Sequence, residues 1–240
     1  MRRGDKMDLN DALMCFGLTR QESTLYLTLL SDGALTGYEA AKRTGISRSN
    51  TYTALACLVD KGAARLMEGT PVRYIPVDIE EFSSNKLRRL EQVKQFLKEQ
   101  LPVRTEAMEG YITIQGDVHI ADKIRCMLEQ AVYRIYFSGE NWTVDSYRHI
   151  LEQRAAEGLK VVVITNPPYE LPKARIYLSQ RKPGQVGVII DSATVLTGDV
   201  GNGEQSACLY SGKKNLVDLF KDSLSNEIKI IELTERNESK

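Results

Sequence analysis

The chain has 240 residues, 42% of them hydrophobic and 27% charged, which fits one or two globular domains at ~150 residues each and excludes a disordered or fibrous chain. Lys and Arg number 32 against 32 Asp and Glu, so overall charge does not announce nucleic acid and any such partner must be read from local charge. The longest aliphatic run, Val161 to Ile164, is far short of the ~20 residues of a membrane helix, and the polar start Met1-Arg2-Arg3-Gly4-Asp5-Lys6 has no apolar signal region.

The first stretch, 1–78, reads as helices followed by a hairpin. A short helix, Leu9 to Phe16, stops at Gly17. Thr19 with Glu22, and Thr36 with Glu39, have capping-box spacing and open two more helices. In the first of these Leu25, Tyr26, Leu29 and Leu30 recur on one face. The second, Gly37 to Thr44, breaks at Gly45, and Ser47 caps a fourth helix that Gly62 stops. Ala63–Met67 and Val72–Pro76, separated by the turn Glu68-Gly69-Thr70-Pro71, read as a hairpin. Helix-turn-helix followed by a hairpin is the plan of a winged helix.

The second stretch, 79–106, is a linker whose helix runs from Ile79 to Leu101 and ends at Pro102. Leu87, Leu90, Leu97 and Leu101 form a seam with Lys94 at the remaining core position. Two readings stand: a helix packed on its own domain, or one that pairs with a second copy to make a homodimer.

The third stretch, 107–240, alternates strands and helices and predicts an α/β domain with a mainly parallel but mixed sheet. The expected strands are Tyr111–Ile114, Tyr133–Phe137, Lys160–Thr165, Val186–Ile190, Thr194–Gly198 and Ala207–Tyr210. Helices are expected at His119–Ala131, Asp145–Glu157 and Lys213 to about Leu224. The fold class is therefore α+β in the first part and α/β in the last.

Cys15, Cys57, Cys126 and Cys208 form no CxxC pair, and His119 and His149 are the only histidines, so neither a metal site nor another cofactor is expected. Scattered single cysteines suit a reducing, cytoplasmic setting.

The fourth helix is the candidate DNA reader. With Leu55 as the inward pole, Thr51, Tyr52, Leu58 and Val59 fall on the buried stripe, and Ser49, Asn50, Thr53 and Cys57 fall opposite, flanked by Ala54 and Ala56. A small, polar outer face lets a helix backbone approach base edges in a major groove ~12 Å wide. Arg48 at the helix start is suited to guanine and Asn50 to adenine, and the helix N-terminus, with Ser47, favours phosphate. Residues 37–76 carry Lys42, Arg43, Arg48, Lys61, Arg65 and Arg73 against Glu39, Asp60 and Glu68. Lys42, Arg43, Arg65 and Arg73 are candidates for the DNA backbone. The bland alternatives are solvated charges at a helix C-terminus for Lys42 and Arg43, and a capping role for Asn50.

These residues resemble a family. Leu9-Asn10-Asp11-Ala12-Leu13 through Gly17-Leu18-Thr19, then Glu22, Tyr26-Leu27 and Leu29-Leu30, look like the opening of TrmB-type transcriptional regulators. Leu35-Thr36-Gly37-Tyr38-Glu39-Ala40-Ala41, Thr44-Gly45-Ile46-Ser47-Arg48-Ser49 and Tyr52-Leu55-Leu58-Val59-Lys61-Gly62 are similar to that family's helix-turn-helix, and Arg73-Tyr74 to its wing. The resemblance implies a dimeric, sequence-specific binder of double-stranded DNA with a phospholipase D-like C-terminal half. Enzymes of that fold use a His in an HxK motif, but Ala121 and Leu151 stand two residues after His119 and His149. The expectation is a non-catalytic regulatory domain.

In open sheets ligands settle at the carboxyl ends of parallel strands. Glu140, Asn141, Trp142 and Asn166 fall there and are candidates for a small-molecule effector; loop caps and core packing are the alternative. Archaeal sugar-binding members of the family carry further C-terminal sequence, whereas this chain stops near Lys240, so no particular effector is implied. A phosphodiesterase or nuclease, and a winged-helix protein-interaction adaptor, are the rival functions.

Overall fold

The computed structural model describes residues 8–102 and 110–238, with side chains to 234. The N-terminal leader reading, the linker's end at 103–106 and the first residues of the third stretch fall outside them. The chain divides at 103/104 into two compact units, each with its own core.

The first unit contains α1 (Leu9–Cys15), α2 (Arg20–Asp32), α3 (Gly37–Thr44), α4 (Arg48–Asp60), β1 (Ala64–Met67), β2 (Arg73–Pro76) and α5 (Ile79–Gln100). Both capping boxes form: Thr19 and Thr36 accept from the Glu22 and Glu39 backbone N–H groups, and those carboxylates accept in return. Glu22 is 4% exposed and also meets Lys61 Nζ at 2.6 Å, so the start of α2 is tied to the end of α4. Leu25, Tyr26, Leu29, Leu55 and Leu58 are fully buried between α2 and α4; each contributes ~1.5–3 kcal/mol through apolar burial. Tyr26 Oη donates to the Val77 carbonyl at 2.8 Å, fixing the chain that follows the hairpin. The β1–β2 pair is antiparallel, and Leu35 bridges to Tyr74 beside it. Phe82 of α5 is buried in this core, whereas Leu87, Leu90, Val93, Phe96, Leu97 and Leu101 are exposed. The helix therefore begins as part of the winged-helix core and continues with an uncovered apolar face.

The second unit has β3 (Tyr111–Gln115), α6 (Asp117–Gln130), β4 (Arg134–Gly139), α7 (Asn141–Asp145), α8 (Arg148–Ala156), β5 (Lys160–Thr165), β6 (Arg175–Leu178), β7 (Gln185–Ile190), β8 (Thr194–Asp199), β9 (Ala207–Ser211) and α9 (Lys214–Glu238). The seven strands lie in the order β3-β9-β8-β7-β4-β5-β6. Only β4–β5 and β5–β6 pair in parallel; the other four pairings are antiparallel. This corrects the expectation of a mainly parallel sheet: β7, β8 and β9 run as a meander, and β3 returns antiparallel at the edge. Three further differences concern missed or misjudged elements. β6 was not expected; α7 precedes the helix expected over Asp145–Glu157, which starts only at Arg148 as α8; and α9 runs on to Glu238.

Side chains alternate across the sheet. Ile135, Phe137, Val161, Val163, Val186 and Val188 face Ile120, Ile124, Leu128, Val144 and Leu151 of α6–α8. Val162, Ile164, Ile189 and Val195 face the other way, toward α9, which supplies Val217 and Ile231. Covering on both faces explains the unbroken apolar run of β5.

Candidate nucleic-acid interface

The turn between α3 and α4 is set by Gly45, which closes α3 in the left-handed conformation at φ 72°. Ser47 then caps α4, accepting from the Asn50 N–H at 3.4 Å. In α4, Thr51, Ala54, Leu55 and Leu58 are buried, while Ser49, Asn50, Tyr52, Thr53, Ala56 and Asp60 are exposed and Cys57 is half-buried. The sequence reading therefore placed the inward pole slightly off: Ala54 belongs to the core, Tyr52 does not, and Cys57 is partly covered. The physical reason lies in Gly37. A Cβ there would fall 2.4 Å from Tyr52 Cε1, so the missing side chain makes room for the Tyr52 ring on the start of α3. The exposed stripe of Ser49, Thr53 and Ala56 remains small.

The four expected arginines differ in how their N–H donors are used. Arg43 Nε lies 3.2 Å from an Asp32 carboxylate oxygen. Arg65 donates to Glu81 at 2.5 Å. Arg73 donates to the Ala34 carbonyl at 2.9 Å and to Glu39 at 3.3 Å, tying β2 to the α3 cap. Glu39 is consequently held below the ordinary carboxylate range, chiefly by the Thr36 backbone N–H, then by the Thr36 side chain, with Arg73 and Arg43 adding. Arg48 makes a different contact: its guanidinium carbon sits 4.7 Å from the centroid of the exposed Tyr38 ring. Such a contact engages the guanidinium π system, and among the described residues no hydrogen bond or ion pair takes up its N–H donors. Lys42 is exposed near the end of α3. Beside Arg48, Tyr38, Tyr52 and Tyr74 line an open groove of about 500 Å³, with Thr36, Gly37, Glu39, Pro71 and Val72. Sequence reasoning missed Tyr38 and Tyr52; the signal available was Gly37, placed where only a residue without a Cβ admits a ring.

In the second unit, the β4–β5 register brings Glu140 and Asn166 to the same end of adjacent parallel strands. Glu140 Oε2 accepts from Trp142 Nε1–H at 3.0 Å and from the Gly184 N–H at 2.8 Å, so this carboxylate is a loop clasp. Trp142 is 51% exposed and is not core packing. Asn141 is half-buried, and Asn166 Nδ2 donates to Gln180 at 3.2 Å. Thr143 Oγ1, Thr165 Oγ1 and Asn166 Oδ1 are buried at this end of the sheet with no hydrogen-bond partner among the described residues. Both threonines were missed in the sequence. His119 and His149 are exposed on separate helices, α6 and α8. Among the described residues no group of three or more His, Cys, Asp or Glu is placed to hold a metal, and no helix is long and apolar enough to cross a membrane.

Residues 13–80, from α1 through the wing to the start of α5, match the family described as sugar-specific transcriptional regulator TrmB. This segment is similar to a TrmB-type regulator domain. Over 97% of its length it is 26% identical to the uncharacterized protein YrhO of Bacillus subtilis, spanning 88% of that protein. It is 28% identical over 64% of its length to the sugar-sensing transcriptional regulator TrmBL1 of Pyrococcus furiosus, but spans only 46% of that relative. Among solved structures, TrmBL2, an archaeal chromatin protein, is similar with a TM-score of 0.47 and 18% identity over 92% of this chain and 97% of that one. The phospholipase D family member Nuc from Salmonella typhimurium is similar with a TM-score of 0.39 and 12% identity, over 49% of this chain and 93% of that one. Both scores are below 0.5, so the architecture here stands on its own strand order and registers. The TrmB-type domain holds eight of the nine expected DNA-binding residues in α3, α4 and the hairpin strands, with Ser47 at the α4 cap.

Proposed function

We propose that the chain is a sequence-specific, double-stranded-DNA-binding transcription regulator that works as a homodimer and is not an enzyme. The observation that carries this is the start of α4, where a small exposed stripe adjoins an arginine whose N–H donors have no partner among the described residues. Arg48, Ser49, Asn50 and Thr53 approach base edges, and Lys42 and Ser47 meet phosphate. Arg43, Arg65 and Arg73 reach DNA with part of their donors already taken. The domain assignment follows: a winged helix at 1–78, a dimerising helix within 79–106 and a regulatory domain at 107–240. For dimerisation, the exposed leucines of α5 form a seam. In a parallel pair with these leucines at the core positions, Lys86 of one copy stands opposite Glu91 of the other, an attractive flanking pair.

Effector control is supported by the three unpartnered polar atoms at the ends of β4 and β5, beside exposed Trp142. The phospholipase D-like comparison is retained for this domain only as a regulatory scaffold, in the family sense, since neither histidine is followed by the required lysine.

Selection from a random-sequence duplex pool tests the reading. The full chain is expected to enrich a motif with two related half-sites. Arg48→Ala should lose ~1–3 kcal/mol of discrimination at one position of each half-site. Failure of the full chain to retain any duplex at low salt would favour an adaptor that binds protein.

A further inference from the structure

We propose that Tyr38 is a positioning residue for base reading by Arg48, so that the specificity of the helix-turn-helix depends on a ring from its first helix. The inference rests on Arg48 reading a base, as proposed above, and assigns the device that aims it. Arg48 is the first residue of α4 and Tyr38 the second of α3. The guanidinium carbon lies 4.7 Å from the ring centroid, within the ~6 Å reach of a cation–π contact. A planar guanidinium carries its donors on its edge, so a ring against one face fixes the plane without occupying a donor. Guanine recognition needs that edge, two parallel N–H groups presented to O6 and N7. Carboxylate partners such as those of Arg43, Arg65 and Arg73 take up part of it.

The backbone that carries the ring is anchored. Tyr52 lies on Gly37, where a Cβ would approach Tyr52 Cε1 to 2.4 Å. That contact holds the backbone just before Tyr38 against α4, the helix that carries Arg48. Tyr38 is 52% exposed, so its role is not filling the core.

The test measures binding of the full chain to the duplex best enriched from a random pool, and to duplexes changed one base pair at a time. Arg48→Ala identifies the position that Arg48 reads. Tyr38→Leu keeps apolar bulk without the π face. It is expected to reduce discrimination at that same position about two- to fivefold, with the salt dependence of binding unchanged. Tyr38→Phe should retain wild-type discrimination. Adding Tyr38→Leu to Arg48→Ala should change nothing further. Full discrimination in Tyr38→Leu, while Arg48→Ala flattens the position, would overturn the proposal and leave base reading intact. So would a Tyr38→Leu effect that persists without Arg48, which would mark a separate route. If Arg48→Ala flattens no position, the base-reading assignment itself fails first. Unchanged thermal melting of Tyr38→Leu separates these outcomes from loss of fold.

Discussion

Arginines that look equivalent in a charge count part company once their donors are followed. Arg73 joins the wing to the Ala34 carbonyl and to Glu39. Arg73→Ala should therefore cost ~1 kcal/mol of stability in urea unfolding. Among the described residues Lys42 has no such tie, so Lys42→Ala should leave stability unchanged, weaken all duplexes alike and lower the salt slope of binding by about one. Asp191, in the turn between β7 and β8, has φ 53° and accepts N–H bonds from Val132, Tyr133 and Arg134 at 2.9, 2.7 and 2.8 Å. Desolvation pushes its carboxyl up, but these three donors with the Arg134 charge outweigh it and hold the group below its ordinary value. Its contribution to stability is then complete above the unfolded-state value of ~3.9 and disappears as pH falls through the lower folded value. Asp191→Ala is expected to cost ~1–3 kcal/mol at pH 7. The gap from wild type should close in acid; a gap that stays constant to pH 2 would refute the assignment. At this scale the sequence showed which residues were polar and where caps lay. It did not show Tyr52 outside the core, because a helical wheel counts an aromatic as apolar and cannot see the shelf Gly37 leaves in another helix.

The elements of the first unit were legible because their boundaries are local chemistry: a Thr and Glu three apart, or a Gly in the left-handed region. The second unit was less so, because strand direction is decided by non-local pairing. β6 is a four-residue edge strand after a proline-rich loop, with a weak pattern of its own. α9 was expected to end near Leu224, yet its inward positions Leu224, Ile228 and Ile231 continue the contact with the sheet. Two predictions belong here. Replacing Leu90 and Leu97 of α5 together by Lys should convert the proposed dimer to monomer in sedimentation, with secondary structure retained, because both side chains are exposed in the single chain. Gly198 sits in β8 where a Cβ would come within 2.2 Å of the Ala207 carbonyl oxygen and 2.6 Å of Cys208 Cα. Since backbone atoms are met, Gly198→Ala should destabilise the second unit by ~1–3 kcal/mol.

Two separate cores make the whole molecule a poor two-state system. Calorimetry of the full chain should resolve two transitions, with Gly198→Ala lowering one and Leu25→Ala the other. A single transition moved equally by both would show that the units melt as one. The placement of α4 also bears on the proposed DNA reading. The exposed stripe of α4 begins at Arg48 and ends at the acid Asp60. A carboxylate at that far end is repelled by the phosphate rails on either side of a groove, while the opposite tip is drawn in. In the proposed complex the helix therefore enters like a stylus, point first and tail raised, touching only a few base pairs. So short a word recurs throughout any genome, and a distinctive address needs two styluses held at a fixed distance.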